Sequence, residues 1–353
     1  MYIKQTFKKS TPTFTRNIDN FLLLFLGVFI IITALTLFQI PWLSVFFYEL
    51  GADALLDTDI ENMSYNDMMA VIKSQNLNLF LILLSFVGMI LGAIIASYIE
   101  GVSFLKLTTS RRKIDFKRIF FSFFLCGSIG VAMTVVGILI SPENYVLNFD
   151  LSSFLVLFLI CIIMIPIQAS AEEYVFRGYL MQSLGRLTKT RWFPFIFTSI
   201  AFGLMHLGNP EVEVIGNIIF VYYIGSGFLA GIMTLMDEGM ELALGWHIST
   251  NFFIALLVTA DWTALNTPSV FKDISSPENY TLFDTLLMII IPIFIIGPII
   301  ITVFAFVYKW KNWRQKLFGV YDKSRLIIPN DINPPPPDVG FIPVDNVDLI
   351  SKN

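Results

Sequence analysis

Charged residues are scarce in this sequence, and their scarcity excludes an ordinary soluble fold. Asp, Glu, Lys and Arg make up 14% of the 353 residues, whereas a soluble domain carries about 25%. Because so few charges cannot cover a surface that faces water, we expect lipid to be most of the solvent. Phe is abundant by contrast, with 35 residues. The composition therefore predicts an integral membrane protein.

Cysteine and histidine are rarer still. Cys126 and Cys161 are the only cysteines, and both lie within apolar runs. Their spacing fits neither a disulfide framework nor a metal site, so we interpret them as small apolar packing residues. The only histidines are His206 and His247, and these also fall within apolar segments. Both histidines are therefore candidates for a special role.

Eight apolar segments approach the length of about 20 residues that a helix needs to cross a bilayer. They predict an all-α fold, a polytopic transmembrane helix bundle of about eight spans. The segments cover residues 21–40, 79–99, 119–140, 151–184, 193–207, 215–236, 242–259 and 283–308. Two glycine pairs, Gly88 with Gly92 and Gly227 with Gly231, have the spacing of close helix contacts.

Basic residues are concentrated in alternate connections between these segments. The N-terminal tail and the connections after the second, fourth and eighth segments are basic, and the others are mostly acidic or neutral. Because basic loops remain in the cytoplasm, both termini are predicted to be cytoplasmic. The connection after the sixth segment breaks the pattern, since it contains Asp237, Glu238 and Glu241 but no Lys or Arg. Acidic residues contribute little to this rule, so we keep the orientation.

The first polar cluster within a span comprises Glu172, Glu173 and Arg177, in the long fourth segment. Ionisable residues in spans are costly and are therefore functional candidates. Glu173 and Arg177 are one helical turn apart and can pair, whereas Glu172 lies about 100° around the helix and is left without that partner. An apolar setting favours the neutral form of a carboxyl, which suits a general base. Taken alone, the pair could equally end a helix at the interface.

Two further clusters contain the histidines. His206 follows Phe202 by one helical turn, and His247 precedes Asn251 by one turn. Two aligned polar side chains such as His247 and Asn251 could donate hydrogen bonds to one oxygen, although they could also hold helices together. Both histidines and the sole Glu-Glu pair lie within spans. A helix bundle without a functional site would not need all of them there.

The depths of these residues are compatible with one site. Counted from the predicted cytoplasmic ends of their segments at about 1.5 Å per residue, Glu172 lies roughly 18 Å deep, His206 roughly 20 Å and His247 roughly 8 Å. We therefore expect Glu172 and His206 to meet. The fourth helix is then too long for the bilayer, and Pro166 offers a kink.

All three clusters together resemble the motifs of a known family. They occur in the same order as the three motifs of the CAAX protease and bacteriocin-processing family, which includes the type II CAAX prenyl endopeptidase. The resemblance covers about residues 151–259. The matching patterns are Glu172-Glu173-x-x-x-Arg177, Phe202-x-x-x-His206 and His247-x-x-x-Asn251.

The resemblance implies an intramembrane endopeptidase that acts on a peptide or lipidated peptide. It implies that Glu172 and His206 position and deprotonate a water, and that His247 and Asn251 form the oxyanion hole. Glu173 and Arg177 would support these groups. The resemblance covers the catalytic core at 151–259. The span pattern and the composition of the tail predict the rest of the division, namely N-terminal helices at 1–150, an external loop and last helix at 260–310, and a partly disordered cytoplasmic tail at 311–353.

The resemblance implies a glutamate-based mechanism without a metal, so we expect no cofactor. The sequence also lacks a His-Glu-x-x-His pattern. Glu172, His206 and His247 could still bind zinc if they converge, since three such ligands and a water make a catalytic zinc site. Two other functions remain open, namely a catalytically silent scaffold that binds a membrane partner and a proton-coupled transporter. We expect the lipid bilayer of a bacterial plasma membrane as the location, and no nucleic-acid partner.

Overall fold

The computed structural model describes residues 13–51, 63–277, 280 and 282–320, and most of them are helical. The acidic residues at 53–61, which are predicted to be external, and the proline run at 334–337 lie outside the described residues. Six helices precede the motif residues or contain the first of them. These are α1 Thr13–Leu50, α2 Tyr65–Val71, α3 Gln75–Ile99, α4 Phe104–Thr108, α5 Phe116–Ile140 and α6 Leu151–Glu173.

The second half of the described chain has shorter helices. A π-helix, Tyr174–Leu180, joins α6 to the next helix without a break. The helices that follow are α7 Met181–Thr188, α8 Trp192–Leu204, α9 Pro210–Ile215, α10 Ile219–Asp237 and α11 Glu241–Leu257. The last span comprises α12 Leu282–Thr285, two π turns at Leu286–Ile290 and Pro292–Ile296, and α13 Gly297–Val307, and it precedes α14 Trp313–Phe318.

The predicted transmembrane helix bundle is confirmed. In the described part of the chain, six helical segments are long and apolar enough to cross a membrane: Asn20–Leu50, Gln75–Ile99, Phe116–Ile140, Leu151–Thr188, Ile219–Asp237 and Phe283–Val307. Two further apolar helices, Trp192–Gly208 and Glu241–Leu257, are shorter. Each of the eight predicted segments corresponds to an apolar helix, but six of them reach the length of a span in the described residues, so the count of eight spans stays a prediction. The two short helices contain His206 and His247.

Glycines bring pairs of these helices into close contact. A Cβ atom at Gly88 would collide with the carbonyl oxygen of Ala34, so α3 packs against the backbone of α1. A Cβ atom at Gly227 would collide with the carbonyl oxygen of Ser199, so α10 packs in the same way against α8. The predicted packing role of the glycine pairs is confirmed. The second contact places the backbone of α10 beside the motif residues.

A small three-stranded sheet lies outside the helices and was not predicted. Its strands are β1 Tyr145–Leu147, β2 Val258–Ala260 and β3 Phe271–Asp273. The central strand, β3, pairs antiparallel with β1 and parallel with β2. The sheet therefore joins the connection between α5 and α6 to the segment that follows α11.

Further contacts gather the neighbouring connections at the sheet. The side-chain amide of Gln75 donates to Asn266 Oδ1 at 2.8 Å, and Glu211 Oε1 accepts from the backbone N–H of Ala264 at 2.8 Å. Burial raises the pKa of Glu211, and the hydrogen bond from Ala264 opposes this rise. We call this region the sheet end, defined by residues 141–150, 209–218 and 258–277.

Basic connections meet at the opposite end of the bundle. Arg186 pairs with Glu100, and Arg191 Nη1 donates to the carbonyl oxygen of Lys316 at 3.2 Å. We call this region the basic end, defined by residues 100–118, 186–191, 237–241 and 308–319. Alternate connections therefore lie at opposite ends, as a polytopic bundle requires.

The acidic connection that breaks the charge pattern is neutralised at this basic end. Arg111 binds Asp237 Oδ2 at 2.7 Å and Glu241 Oε2 at 3.0 Å. Arg118 pairs with the other carboxylate oxygen of Asp237, which also accepts from the indole N–H of Trp310 at 3.1 Å. Because burial of unpaired carboxylates is costly, these partners explain how an acidic connection lies among basic ones.

Candidate active site

The first motif lies where the long fourth span changes its helical geometry. Glu172 and Glu173 end α6, and Arg177 lies in the π-helix that follows. Glu173 and Arg177 have no solvent exposure, and Glu172 is 4% exposed. π-Helical turns are frequent at functional sites, because the wider turn redirects side chains from the regular helical positions.

The predicted pairing of Glu173 with Arg177 is confirmed. Arg177 Nη1 lies 3.1 Å from Glu173 Oε1. The same guanidinium donates to the carbonyl oxygen of Gly227 at 2.9 Å and lies over the ring of Phe202, at 4.4 Å from its centroid. Arg177 thus connects the first motif to α10 and α8, and its charge is compensated although it is fully buried.

His247 joins both glutamates. Its Nδ1 lies 2.8 Å from Glu173 Oε1, and its Nε2 lies 3.5 Å from Glu172 Oε2. An ionised carboxylate only accepts hydrogen bonds, so the Glu173 contact requires a proton on Nδ1. The other ring nitrogen then faces Glu172. Sequence reasoning aligned His247 only with Asn251 and did not predict these contacts.

Gln168 completes the cluster, and sequence reasoning missed it. Its side-chain nitrogen donates to Glu172 Oε1 at 2.5 Å, and its side-chain oxygen accepts from Asn251 Nδ2 at 2.8 Å. Glu172 is not paired with Arg177, as expected, but it has a partner that was not predicted, the amide of Gln168. Gln168 precedes Glu172 by one helical turn, and this spacing is the signal that could have identified it.

His206 lies apart from the glutamates. A short 3₁₀ turn, Met205–Gly208, follows α8 and contains it. Its Nδ1 bonds the carbonyl oxygen of Phe202 at 2.9 Å, so that nitrogen is the donor. Its ring stacks on Tyr223, with centroids 4.3 Å apart and planes at 16°. Within the described residues, no hydrogen bond joins His206 to Glu172.

The Phe202 ring is the contact between the two histidines. Its centroid lies 5.1 Å from that of His206 and 5.8 Å from that of His247. The structure therefore assembles Glu172, Glu173, Arg177, His247 and Asn251 by hydrogen bonds and ion pairs, and it adds His206 through aromatic contacts.

Two carboxylate oxygens in the cluster have no hydrogen bond. Among the described residues, Glu172 Oε2 and Glu173 Oε2 are buried without such a partner. Leaving a buried acceptor unsatisfied costs about 1–3 kcal/mol. The free oxygen of Glu172 also faces His247 Nε2, and an acceptor in this position suits a bound water or a substrate N–H group.

The three residues considered as zinc ligands do not form a ligand set. Within the described ranges, no group of three or more His, Cys, Asp or Glu side chains is placed to hold a metal ion. His206 is directed to Phe202 and Tyr223, whereas His247 is directed to the glutamates.

Known proteins resemble the segment of the chain that contains the site. Residues 151–253 match the family described as type II CAAX prenyl endopeptidase Rce1-like, and this range contains all six predicted site residues. This part of the chain is therefore similar to an Rce1-like domain. No solved structure matches the chain.

A curated relative is similar to part of the chain. The chain is 32% identical over 157 residues to the uncharacterized protein YyaK of Bacillus subtilis (strain 168). The match covers 44% of this chain and 52% of YyaK. The chain therefore spans about half the length of the curated relative it matches.

Proposed function

We propose that this protein is an intramembrane endopeptidase in which Glu172 activates a water for attack on a peptide bond. The observation that supports this proposal is the hydrogen bonding of the two carboxylate oxygens of Glu172. Its Oε1 is held by Gln168, and its buried Oε2 has no hydrogen bond within the described structure. One fixed and one free oxygen is the arrangement expected of a general base.

The hydrolysis follows from that arrangement. Glu172 accepts a proton from the water, and the resulting hydroxide forms a bond with the scissile carbonyl carbon. The oxyanion that forms is stabilised by the second amide N–H of Asn251 and by His247 when its Nε2 carries a proton. The C–N bond then breaks, and the proton held by Glu172 passes to the leaving amine.

The remaining motif residues have supporting roles in this proposal. Arg177 balances the charge of Glu173, and Glu173 fixes the ring of His247 through Nδ1. His206 donates through Nδ1 to Phe202, so Nε2 is the ring nitrogen that remains for proton transfer. His206 thus assists the proton transfers at the substrate. A silent scaffold would need none of these protonation states.

Hydrolysis by the purified protein tests this function directly. Wild-type protein in liposomes is incubated in H₂¹⁸O with a library of lipidated and unmodified peptides, and the products are analysed by mass spectrometry. We expect new carboxyl termini that carry one ¹⁸O atom, because water supplies the attacking oxygen. Matched liposomes without protein are the control. Intact peptides throughout, with correctly folded protein, would favour the silent scaffold.

We also propose that both termini lie in the cytoplasm of a bacterial plasma membrane. The basic end contains Lys106, Arg111, Arg112, Lys113, Lys117, Arg118, Arg186, Lys189, Arg191, Lys309, Lys311, Arg314 and Lys316. The described part of the sheet end contains Lys272 alone among Lys and Arg residues. This asymmetry supports a cytoplasmic basic end.

A pair of cysteine substitutions measures the orientation. Ser103 at the basic end and Ser276 at the sheet end are both exposed, and Cys126 and Cys161 are buried. A membrane-impermeant maleimide should label Ser276→Cys in intact cells, but Ser103→Cys only after permeabilisation. Unsubstituted protein gives the background. The reverse pattern of labelling would invert the proposed orientation.

A further inference from the structure

We propose that Gln168 is a positioning residue that holds the base Glu172 and the amide of Asn251 in one reactive geometry. This inference rests on the proposed function. Gln168 is 8% exposed and lies on α6, within an otherwise largely apolar stretch. It is outside the three motifs and touches two of them.

The two hydrogen bonds of Gln168 use opposite properties of its amide. Its nitrogen donates to Glu172 at 2.5 Å, and its oxygen accepts from Asn251 at 2.8 Å. A neutral amide donates and accepts at the same time, whereas an ionised carboxylate only accepts. Gln168 therefore links the Glu172 carboxylate, which accepts its hydrogen bond, to the Asn251 amide, which donates one.

The two hydrogen bonds of Gln168 determine which atoms of Glu172 and Asn251 remain available to the water and the substrate. Because Gln168 occupies Glu172 Oε1, the water must use Oε2, which is the oxygen that faces His247 Nε2 at 3.5 Å. Because Gln168 also occupies one N–H of Asn251, the second N–H remains for the substrate carbonyl. Base and oxyanion donor are thus set relative to each other by one side chain that spans α6 and α11.

Gln168 also packs two helices together, and a structural role alone must be distinguished from positioning. Hydrogen bonds between membrane helices also contribute to the stability of a bundle. The matched control is Gln182, a buried amide whose nitrogen bonds the backbone oxygens of Lys106 and Leu107 near the basic end. Gln182→Leu removes a buried amide without touching the motifs.

The test compares Gln168→Leu, Gln168→Glu and Gln182→Leu with the wild type on a peptide that wild-type protein hydrolyses with ¹⁸O incorporation. Gln168→Leu should lower kcat by about 100-fold, because small misplacements of reacting groups have effects of this size. Its KM should change little. Gln182→Leu should keep the wild-type kcat, even if its thermal stability is lower.

Gln168→Glu gives a signature in the pH profile that a structural role would not produce. Two neighbouring carboxyls share one proton, and the protonated member can both donate and accept as the amide does. The variant should therefore be active while the pair holds one proton and lose activity at higher pH, with a loss that begins at a different pH from that of the wild type. Activity within part of the pH range also shows that the variant is folded.

Three results would overturn the inference. These are a kcat for folded Gln168→Leu within twofold of wild type, an equal loss in Gln182→Leu, and a pH profile of Gln168→Glu parallel to that of wild type. In each case the wild type still hydrolyses the peptide, so the proposed function stands. A wild-type protein that hydrolyses no peptide would overturn the function, and this inference with it.

Discussion

Glu172→Gln is expected to lower the rate of peptide hydrolysis by at least about 100-fold, the typical contribution of a general base. The amide has nearly the same shape as the carboxylate, and its oxygen can still accept the hydrogen bond from Gln168 that Glu172 Oε1 accepts now. The substitution therefore removes the proton acceptor while it preserves the packing. Initial rates at saturating peptide measure the effect, together with thermal unfolding of both proteins in detergent.

The control for this prediction is Glu213→Gln. Glu213 lies on α9, close in sequence to His206, but its side chain is exposed. The same chemical change there should leave the rate within about twofold of wild type, since surface substitutions have small effects. Hydrolysis by a folded Glu172→Gln protein at more than a third of the wild-type rate would exclude Glu172 as the base.

Arg177→Met is expected to destabilise the protein by about 3–5 kcal/mol, the cost of leaving one charge of a buried pair uncompensated. Arg177 and Glu173 have no solvent exposure, and their charged atoms are 3.1 Å apart. Methionine fills much of the same volume but leaves the Glu173 carboxylate with His247 as its remaining partner for charge. Unfolding of the protein in mixed micelles by increasing SDS measures the loss.

Two further variants show whether charge is the cause. The double variant Glu173→Gln/Arg177→Met removes both charges and should recover part of the lost stability. Arg314→Met changes an exposed arginine at the basic end and should shift the free energy of unfolding by less than about 0.5 kcal/mol. Equal stability of Arg177→Met and wild type would contradict the structural role of the pair.

The spans and the Glu173–Arg177 pair could be predicted because they depend on local and strongly marked patterns. Long apolar runs exclude charged residues from lipid, so α3 and α5 were placed within four residues of their observed ends. The i,i+4 spacing placed Glu173 beside Arg177 before any contact was known. These features require only the sequence and the period of a helix.

Other features depend on contacts between distant residues, which no local pattern marks. Strands of three residues, such as β1 and β2, are too short to show an alternation. The π-helix changes the hydrogen bonds of the backbone and leaves the apolar pattern continuous. Gln168 was overlooked because it is uncharged, and its importance comes from Asn251, 83 positions later.

The contacts of His206 could not be predicted from the sequence either. Its depth in the span was compatible with a direct contact to Glu172, but the side-chain nitrogen bonds the carbonyl oxygen one turn earlier in its own helix. The stacking on Tyr223 fixes the ring further. The conformation of such a side chain depends on neighbours from other helices. It therefore cannot be predicted from spacing in the sequence.

The ion pairs at the basic end have a consequence for biogenesis. Arg111 precedes Glu241 by 130 positions and Asp237 by 126, so the ribosome delivers the cations long before the acids. Arg111 and Arg118 are already synthesised when α10 and α11 emerge with Asp237 and Glu241. Trp310, which donates to Asp237, is synthesised last. The connection between these two helices has no Lys or Arg of its own to retain it. We therefore expect the side of the membrane on which this connection lies to depend on charges synthesised earlier, and correct insertion of the helix that contains His247 and Asn251 to depend on them as well.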